Sequence, residues 1–487
     1  MLFTSVPYIF VFLPAVLLGY FVLNKHHRYR TAIAWLITAS LFFYGFWNPG
    51  YIPLILLSMG FNYGIATALN HKSRFRREIL SFGIFSNIFF LGYYKYFPFI
   101  LDNLNRFAGI DLHIETTLFP LAISYFTFQQ IAFLVDTYRR EISQFDILEY
   151  CLSICFFPKL IAGPIVNCAE LMPHFTDRHH RQIRYENISM GLFLFSIGLF
   201  KKTVIADFLA VFADHGFDLS PPVDFYAAWL TSLSYTFQLY FDFSGYTDMA
   251  LGSARMLNIS LPANFNAPYK ALSIQDFWRR WHITLSRFLQ KYLYIPLGGN
   301  RNGDTRTYVN LFLTFLIGGI WHGAGWTFLV WGALHGAGIV AHRMWQKVRL
   351  TLPPWLAWLS TFLFVNFCWV FFRANSFSDA FKVIQGMLDF RSASLQGLII
   401  FLADQSGFLS EFGFRLPISG IALGINTATL TVVILCFIVA GWGKNSNEII
   451  AGYQPSSANA IYAGMLLFGG LLTFLSETPS NFIYFQF

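Results

Sequence analysis

Long apolar runs separated by short basic clusters make up most of this chain. The clearest lie at 8–23, 33–47, 51–69, 79–94, 118–135, 188–212, 226–241, 308–320, 326–341, 355–372, 418–442 and 460–476. A helix needs about 20 predominantly apolar residues to cross a bilayer core. With shorter or interrupted runs between them, notably 148–166 and 274–297, the pattern predicts an all-α polytopic membrane protein. About 11–13 transmembrane helices fit, with some re-entrant or interfacial pieces. No internal repeat, low-complexity stretch or soluble domain interrupts it, so one integral-membrane domain is expected over 1–487.

The breaks in the pattern carry information too. "LIAGPIVN" (160–167) and "LYIPLGGNRNGD" (293–304) place Pro and Gly among apolar residues. Irregular backbone survives at membrane depth only where protein or a water-filled cavity shields it, so both segments point to a cavity inside the protein. Within the weakly hydrophobic stretch 373–417, "RANSFSDAFKVIQGMLDF" reads as an amphipathic helix at an interface. It serves either as a platform for an extracytoplasmic partner or as a plain connection.

Composition agrees with the membrane reading. Of 487 residues, 55% are hydrophobic, 20% aromatic and 12% charged, whereas a soluble domain carries about 25% charged residues. Mean hydropathy is +0.50. The formal net charge of +8 implies no nucleic acid, because its cations gather in loops: 24–30, 71–78, 136–141, 177–184 and 342–349. Such loops face the cytoplasm and anionic lipid. The N-terminus is then expected on the extracytoplasmic side, as is the C-terminus by parity. The first thirty residues lack a basic start and a small-residue cleavage site, so they read as a retained helix rather than a signal peptide. Five cysteines form no CxxC pair, and neither disulfides nor a metal site is expected. A P-loop, a GxSxG elbow, an HExxH pair and an H-x-x-x-x-D signature are all missing, which argues against ATP-driven transport and soluble-hydrolase chemistry.

Four polar clusters interrupt the apolar background, where charged groups are costly and usually functional. In "LYFDFSGYTDMALG" (239–252), Asp242 and Asp248 flank Ser244, Tyr246 and Thr247. They form either a hydrogen-bond network that locks helices together or the polar lining of a substrate path. "IQDFWRRWHITLSRFLQKYLYIPLGGNR" (274–301) repeats Phe277, Trp281, Phe288 and Tyr292 at helical spacing. Arg279, His282 and Ser286 share another face of that amphipathic helix, and Asp276 can pair with Arg280 at i+4. Its arginines would hold lipid phosphate, or the phosphate of a phosphopantetheine or coenzyme A donor. In "FFPKLIAGPIV" (156–166), Lys159 would cap carbonyls freed by Pro158 and Pro164 or snorkel to the interface; a catalytic role is the lesser reading.

The fourth cluster, "GGIWHGAGWTFLVWGALHG" (318–336), holds His322 and His335 and no charged residue. A continuous helix would set the two histidines ~20 Å apart. They therefore share no metal and no dyad unless the helix breaks at Gly323–Gly325. His335 reads as a helix–helix hydrogen-bonding residue. His322 sits among Gly318, Gly319, Gly323 and Gly325, with Trp321 and Trp326 alongside. It reads as a general base in a dry, narrow site, with backbone N–H groups near Gly323 or Gly325 as candidate oxyanion donors.

Taken in order, "LYFDFSGYTDMA", "FWRRWHITLSRFLQKYLYIPLGGNR" and "GGIWHGAGWTFLVWGALHG" resemble the membrane-bound O-acyltransferase (MBOAT) superfamily. The nearest branch is similar to the bacterial alginate O-acetyltransferase group of polysaccharide O-acetylating membrane proteins. "PLAISYFTFQQIAFLVDTYR" (120–139), "FFPKLIAGPI" (156–165) and "NFIYFQF" (481–487) agree with it. The resemblance implies a ring of transmembrane helices around a funnel or tunnel, in the bacterial inner membrane. It implies His322 as the catalytic residue, with Arg279, Arg280, Trp281 and His282 toward the cytoplasmic side of the tunnel. Asp276, Trp278, Trp321 and Trp326 join them as donor-binding or tunnel-lining candidates. Asp242, Ser244, Tyr246, Asp248, Lys159 and His335 are left as a supporting polar network. No cofactor is expected to stay bound. Acetyl-CoA or a loaded acyl-carrier protein would be the thioester substrate, a polysaccharide the acceptor. A periplasmic acyl-relay protein and an exopolysaccharide synthesis complex would be partners beside membrane lipid. The alternatives are a D-alanyl transferase serving a teichoic-acid-like polymer from a carrier protein, a transporter coupled through Asp242 and Asp248, and a non-catalytic scaffold.

Overall fold

The computed structural model describes residues 1–71, 74–109, 120–177, 181–218, 224–403 and 425–473. The closing "NFIYFQF" and the ends of three apolar runs (118–119, 418–424 and 474–476) lie outside the described residues. Every regular element among the described residues is helical. The chain is an all-helical membrane protein. Among the described residues, each apolar run named above falls at least in part on a helix.

Four helical stretches are by themselves long and apolar enough to cross a bilayer: Tyr8–Lys25, Tyr51–Asn70, Tyr185–Asp218 and Pro354–Arg373. Others have the length but carry polar residues mid-helix, such as Phe225–Met256 with Asp242 and Asp248. Those side chains are buried inside the protein, where a polar group meets protein rather than lipid.

Contacts group the chain into two compact units, Met1–Phe195 with Tyr246–Ala263, and Ser196–Gly245 with Asn264–Phe487. The divisions at 195/196 and 245/246 fall inside continuous helices, so no shift of composition marks them.

The first unit opens with α1 (Leu13–Lys25), α2 (Tyr29–Gly45), α3 (Tyr51–Asn70), α4 (Arg76–Leu91) and α5 (Phe97–Ala108). It continues through α6 (Ile123–Tyr138), α7 (Ile147–Cys155), the single turn α8 (Phe157–Leu160), α9 (Cys168–Thr176) and the start of α10 (Tyr185–Phe200). Ile55, Met59, Phe133, Tyr150 and Ile154 centre its core. Side-chain amides knit the helices, as is usual where lipid removes any hydrophobic drive between them. Asn62 of α3 and Asn87 of α4 donate to each other's carbonyls at 3.1 and 2.7 Å. Lys159 neither caps a carbonyl nor snorkels, contrary to expectation. It is fully buried, and its Nζ donates to Gln129 Oε1 of α6 at 2.8 Å. Pro158 and Pro164 do break the helix, and the lysine turns inward where an amide oxygen meets it.

The second unit holds α11 (Asp207–Asp218), most of α12 (Phe225–Met256), α13 (Ile274–Arg280), α14 (Ile283–Leu289), α15 (Gly303–His322) and α16 (Trp326–Val348). After these come α17 (Pro354–Arg373), α18 (Phe377–Leu388), α19 (Leu395–Ala403) and α20 (Ile425–Trp442). The expected amphipathic helix at 377–388 is α18, with Ser376 Oγ accepting from the Asp379 N–H at 3.1 Å as its N-cap. One expectation fails. Spacing predicts a continuous helix over 274–301, yet α13 and α14 part at Trp281–His282, and His282 takes φ +41°. A left-handed conformation costs a non-glycine residue ~1–3 kcal/mol and persists only where its surroundings over-determine it. Here they do. Asn264 Oδ1 accepts from Thr284 Oγ1 at 2.6 Å and lies 3.3 Å from His282 Nδ1.

Candidate active site

Helices α15 and α16 form a hairpin whose turn is the segment 323–325. Its two arms meet at glycines. A Cβ on Gly319 would lie 2.5 Å from the Phe328 carbonyl oxygen, and one on Gly332 would lie 2.7 Å from that of Phe315. Only glycine permits backbones this close. The break at Gly323–Gly325, which the sequence left open, is present, so the ~20 Å helical separation of His322 and His335 does not apply.

His322 is the last residue of α15 and only 4% exposed. Its ring sits edge-on against Trp321, Trp331 and Phe372, with centroids 4.9, 5.0 and 5.2 Å away. His335 is fully buried on α16, its centroid 4.8 Å from that of Trp331. The two imidazoles thus share one indole. Trp278 of α13 donates its Nε1–H to His335 Nδ1 at 3.2 Å. Trp369 of α17 closes the group, stacked 5.9 Å from Trp331. Of the two backbone oxyanion candidates, the Gly323 N–H points to the Gly319 carbonyl oxygen at 3.4 Å.

The helix break at His282 rearranges the arginine motif. Arg279 is exposed. His282 is fully buried, its ring 4.8 Å from Phe243. The two therefore do not act from one face, as an unbroken helix would require. Asp276 and Arg280 make the expected i,i+4 pair at 2.9 Å, both partly exposed. Trp281 is buried against Phe265 and Trp369, each with centroids 5.0 Å away. Trp326, a donor-binding or tunnel-lining candidate at the start of α16, is 48% exposed. The buried aromatic wall around His322 is made of Trp321, Trp331 and Phe372.

Asp242 is buried and ion-paired. Lys202 Nζ lies 2.7 Å from its Oδ1 and 2.6 Å from Asp207 Oδ1. Lys202 belongs to a π-type turn, Lys201–Ala206, that follows α10. Ser244 Oγ is buried with no hydrogen-bond partner among the described residues. Tyr246, Asp248 and Lys159 are buried in the first unit. Among the described residues no group of three His, Cys, Asp or Glu side chains is placed to hold a metal ion.

Sequence reasoning passed over Trp331, Phe372 and Lys202. Trp331 lies in the stretch read most closely, and a hairpin reading would have set it against His322. The signal for Lys202 was a Lys–Lys pair inside the apolar run 188–212. Nothing in sequence marks Phe372 among 58 phenylalanines.

Residues 82–378 match the family described as MBOAT, membrane-bound O-acyltransferase family. The peptidoglycan O-acetyltransferase of Helicobacter pylori is 45% identical, over 100% of this chain and 98% of that protein. The probable alginate O-acetylase AlgI of Azotobacter vinelandii is 40% identical, over 82% of this chain and 80% of that protein. The teichoic acid D-alanyltransferase of Streptococcus thermophilus is 26% identical, over 48% of this chain and 59% of that protein.

Proposed function

This chain belongs to the membrane-bound O-acyltransferase family and is an O-acyltransferase, and from that premise we propose that it acetylates an extracytoplasmic polysaccharide with His322 as general base. One observation carries the catalytic assignment. His322 is an imidazole at a helix end, walled by Trp321, Trp331 and Phe372. Aromatic walls exclude water that would otherwise hydrolyse a thioester. A cation that forms at a helix C-terminus meets the favourable end of the backbone dipole.

In the proposed reaction, an acceptor hydroxyl loses its proton to His322 as its oxygen attacks the thioester carbonyl carbon. The C–S bond then breaks, and the departing thiolate takes that proton. Proton transfer of this kind contributes ~10²–10⁴-fold to rate. The donor, acetyl-CoA or a loaded carrier protein, approaches from the cytoplasmic side of the inner membrane. Arg279, exposed beside the Asp276–Arg280 pair, is the residue of its motif open to a phosphate. The acceptor is the polymer itself or a periplasmic relay protein that completes the transfer. Peptidoglycan is the first polymer to test, because the relative named for it covers this whole chain.

The deciding experiment compares ester-linked acetyl on isolated wall and extracellular polysaccharide. Wild type, His322→Ala and His335→Ala would be assayed at matched levels of folded protein. Acetyl lost with His322→Ala and largely retained with His335→Ala is the expected result. Unchanged acetyl in His322→Ala overturns the mechanism. D-alanyl ester lost in place of acetyl overturns the cargo.

A further inference from the structure

The first unit holds a groove-like cavity of about 940 Å³ that shares no residue with the candidate active site. Its floor is apolar: Pro14, Leu17, Leu18, Phe21 and Val22 of α1, facing Ile183 and Ile188. Its mouth is cationic and polar: Lys25, His27, Tyr29 and Arg181. No carboxylate is among the described residues that line it. We propose that this cavity holds one anionic glycerophospholipid, its phosphate between Arg181 and Lys25 and an acyl chain along α1.

Three features support the assignment. First, the cavity is laid along a helix that is long and apolar enough to span a bilayer, Tyr8–Lys25. From Pro14 to Lys25 that helix rises about 16 Å, close to half the ~30 Å hydrocarbon core. The apolar floor therefore matches one leaflet, and the cations lie where headgroups begin.

Second, the mouth is built. The Arg181 guanidinium stacks 3.8 Å over the Tyr29 ring and donates Nη2–H to the Thr176 carbonyl oxygen at 2.9 Å. The Tyr29 hydroxyl is in turn held 2.7 Å from His27 Nδ1. An arginine fixed by stacking still offers further donors of its planar fork, which suit phosphate oxygens. Arg30 nearby is already engaged by Asp146 at 3.0 Å, so the excess charge at the mouth rests on Lys25 and Arg181.

Third, Leu18 and Val22 are 68% and 42% exposed. An acyl chain laid along α1 would cover them at no polar cost.

The test uses purified full-length protein in detergent, delipidated and titrated under native mass spectrometry. The probes are palmitoyl-oleoyl phosphatidylglycerol, the matched phosphatidylcholine, and glycerol 3-phosphate. Phosphatidylglycerol should bind saturably with one tight site, and the other two should not. Arg181→Ala and Lys25→Ala should each weaken it about tenfold or more, as expected when one charge-assisted contact to the phosphate is removed. Leu18→Trp should weaken it by filling the groove while keeping both charges. Lys291→Ala, which removes a cation outside the cavity, should leave binding unchanged. Thermal unfolding of each variant without lipid separates lost fold from lost site. Equal retention of phosphatidylcholine, equal binding of glycerol 3-phosphate, or wild-type affinity in both Arg181→Ala and Leu18→Trp would overturn the proposal.

Discussion

Trp278 and His335 are joined across 57 residues of sequence by a 3.2 Å hydrogen bond from the indole N–H to the imidazole Nδ1. With Nδ1 accepting, the neutral ring carries its proton on Nε2. The bond ties α13, which carries the arginine motif, to α16. Through Trp331 it also borders His322, since that indole touches both imidazoles.

Trp278→Phe keeps the ring and deletes the donor, leaving a buried Nδ1 unsatisfied. We expect a loss of ~1–3 kcal/mol in stability. A double-mutant cycle with His335→Phe, read by thermal unfolding in detergent, should show coupling well above the ~0.5 kcal/mol scatter of independent sites. Additive effects would mean that the bond contributes nothing.

His322→Ala should lower acetyl transfer by at least ~10²-fold, the lower end of general-base contributions. His322→Gln, which keeps most of the bulk against Trp331 and Phe372, should be equally inactive. Recovery of activity in the glutamine variant would reassign His322 to packing.

The hairpin predicts a contrast between glycines. Gly319→Ala places a methyl group against the Phe328 carbonyl, where a Cβ would sit at 2.5 Å. We expect at least ~1–3 kcal/mol of destabilisation from overpacking, with loss of transfer as His322 shifts. Gly64→Ala on α3 has open space within 4 Å and should be neutral or slightly stabilising. Matched unfolding temperatures for the two variants would contradict the close packing.

Lys202 stands between two carboxylates, so the members of that cluster are unequal. Lys202→Met removes the cation that both Asp207 and Asp242 pair with, and breaking a buried pair costs ~3–5 kcal/mol. Asp242→Asn leaves Lys202 its 2.6 Å partner Asp207 and should cost less. Expression and unfolding temperature of the two variants, ranked the other way, would show that Lys202 is not the centre of the cluster.

Arg279→Ala tests the donor path. An exposed arginine that holds donor phosphate should, when removed, raise the KM for the thioester with little change in kcat. A fall in kcat alone would place Arg279 in the chemistry or the fold instead.

Apolar run lengths by themselves determined the membrane class and the helical positions, because lipid forces every spanning backbone to satisfy its own hydrogen bonds. The uncharged background of 318–336 made its two histidines stand out, and the glycines around His322 together with the family resemblance made that residue the catalytic candidate. The Asp276–Arg280 pair was legible as well, being local to one helical turn. Tertiary structure alone decided the rest. Helical periodicity carried straight through Trp281–His282, because the signal for that break is Asn264, eighteen residues upstream. Lys159 found Gln129, and Asp242 found Lys202, through helix packing that no spacing rule reports. The wall of the candidate site came from Trp331 and Phe372, aromatic residues in a chain that is one-fifth aromatic. Periodicity places a residue on the face of its own helix; which other helix supplies its partner depends on contacts between segments distant in sequence.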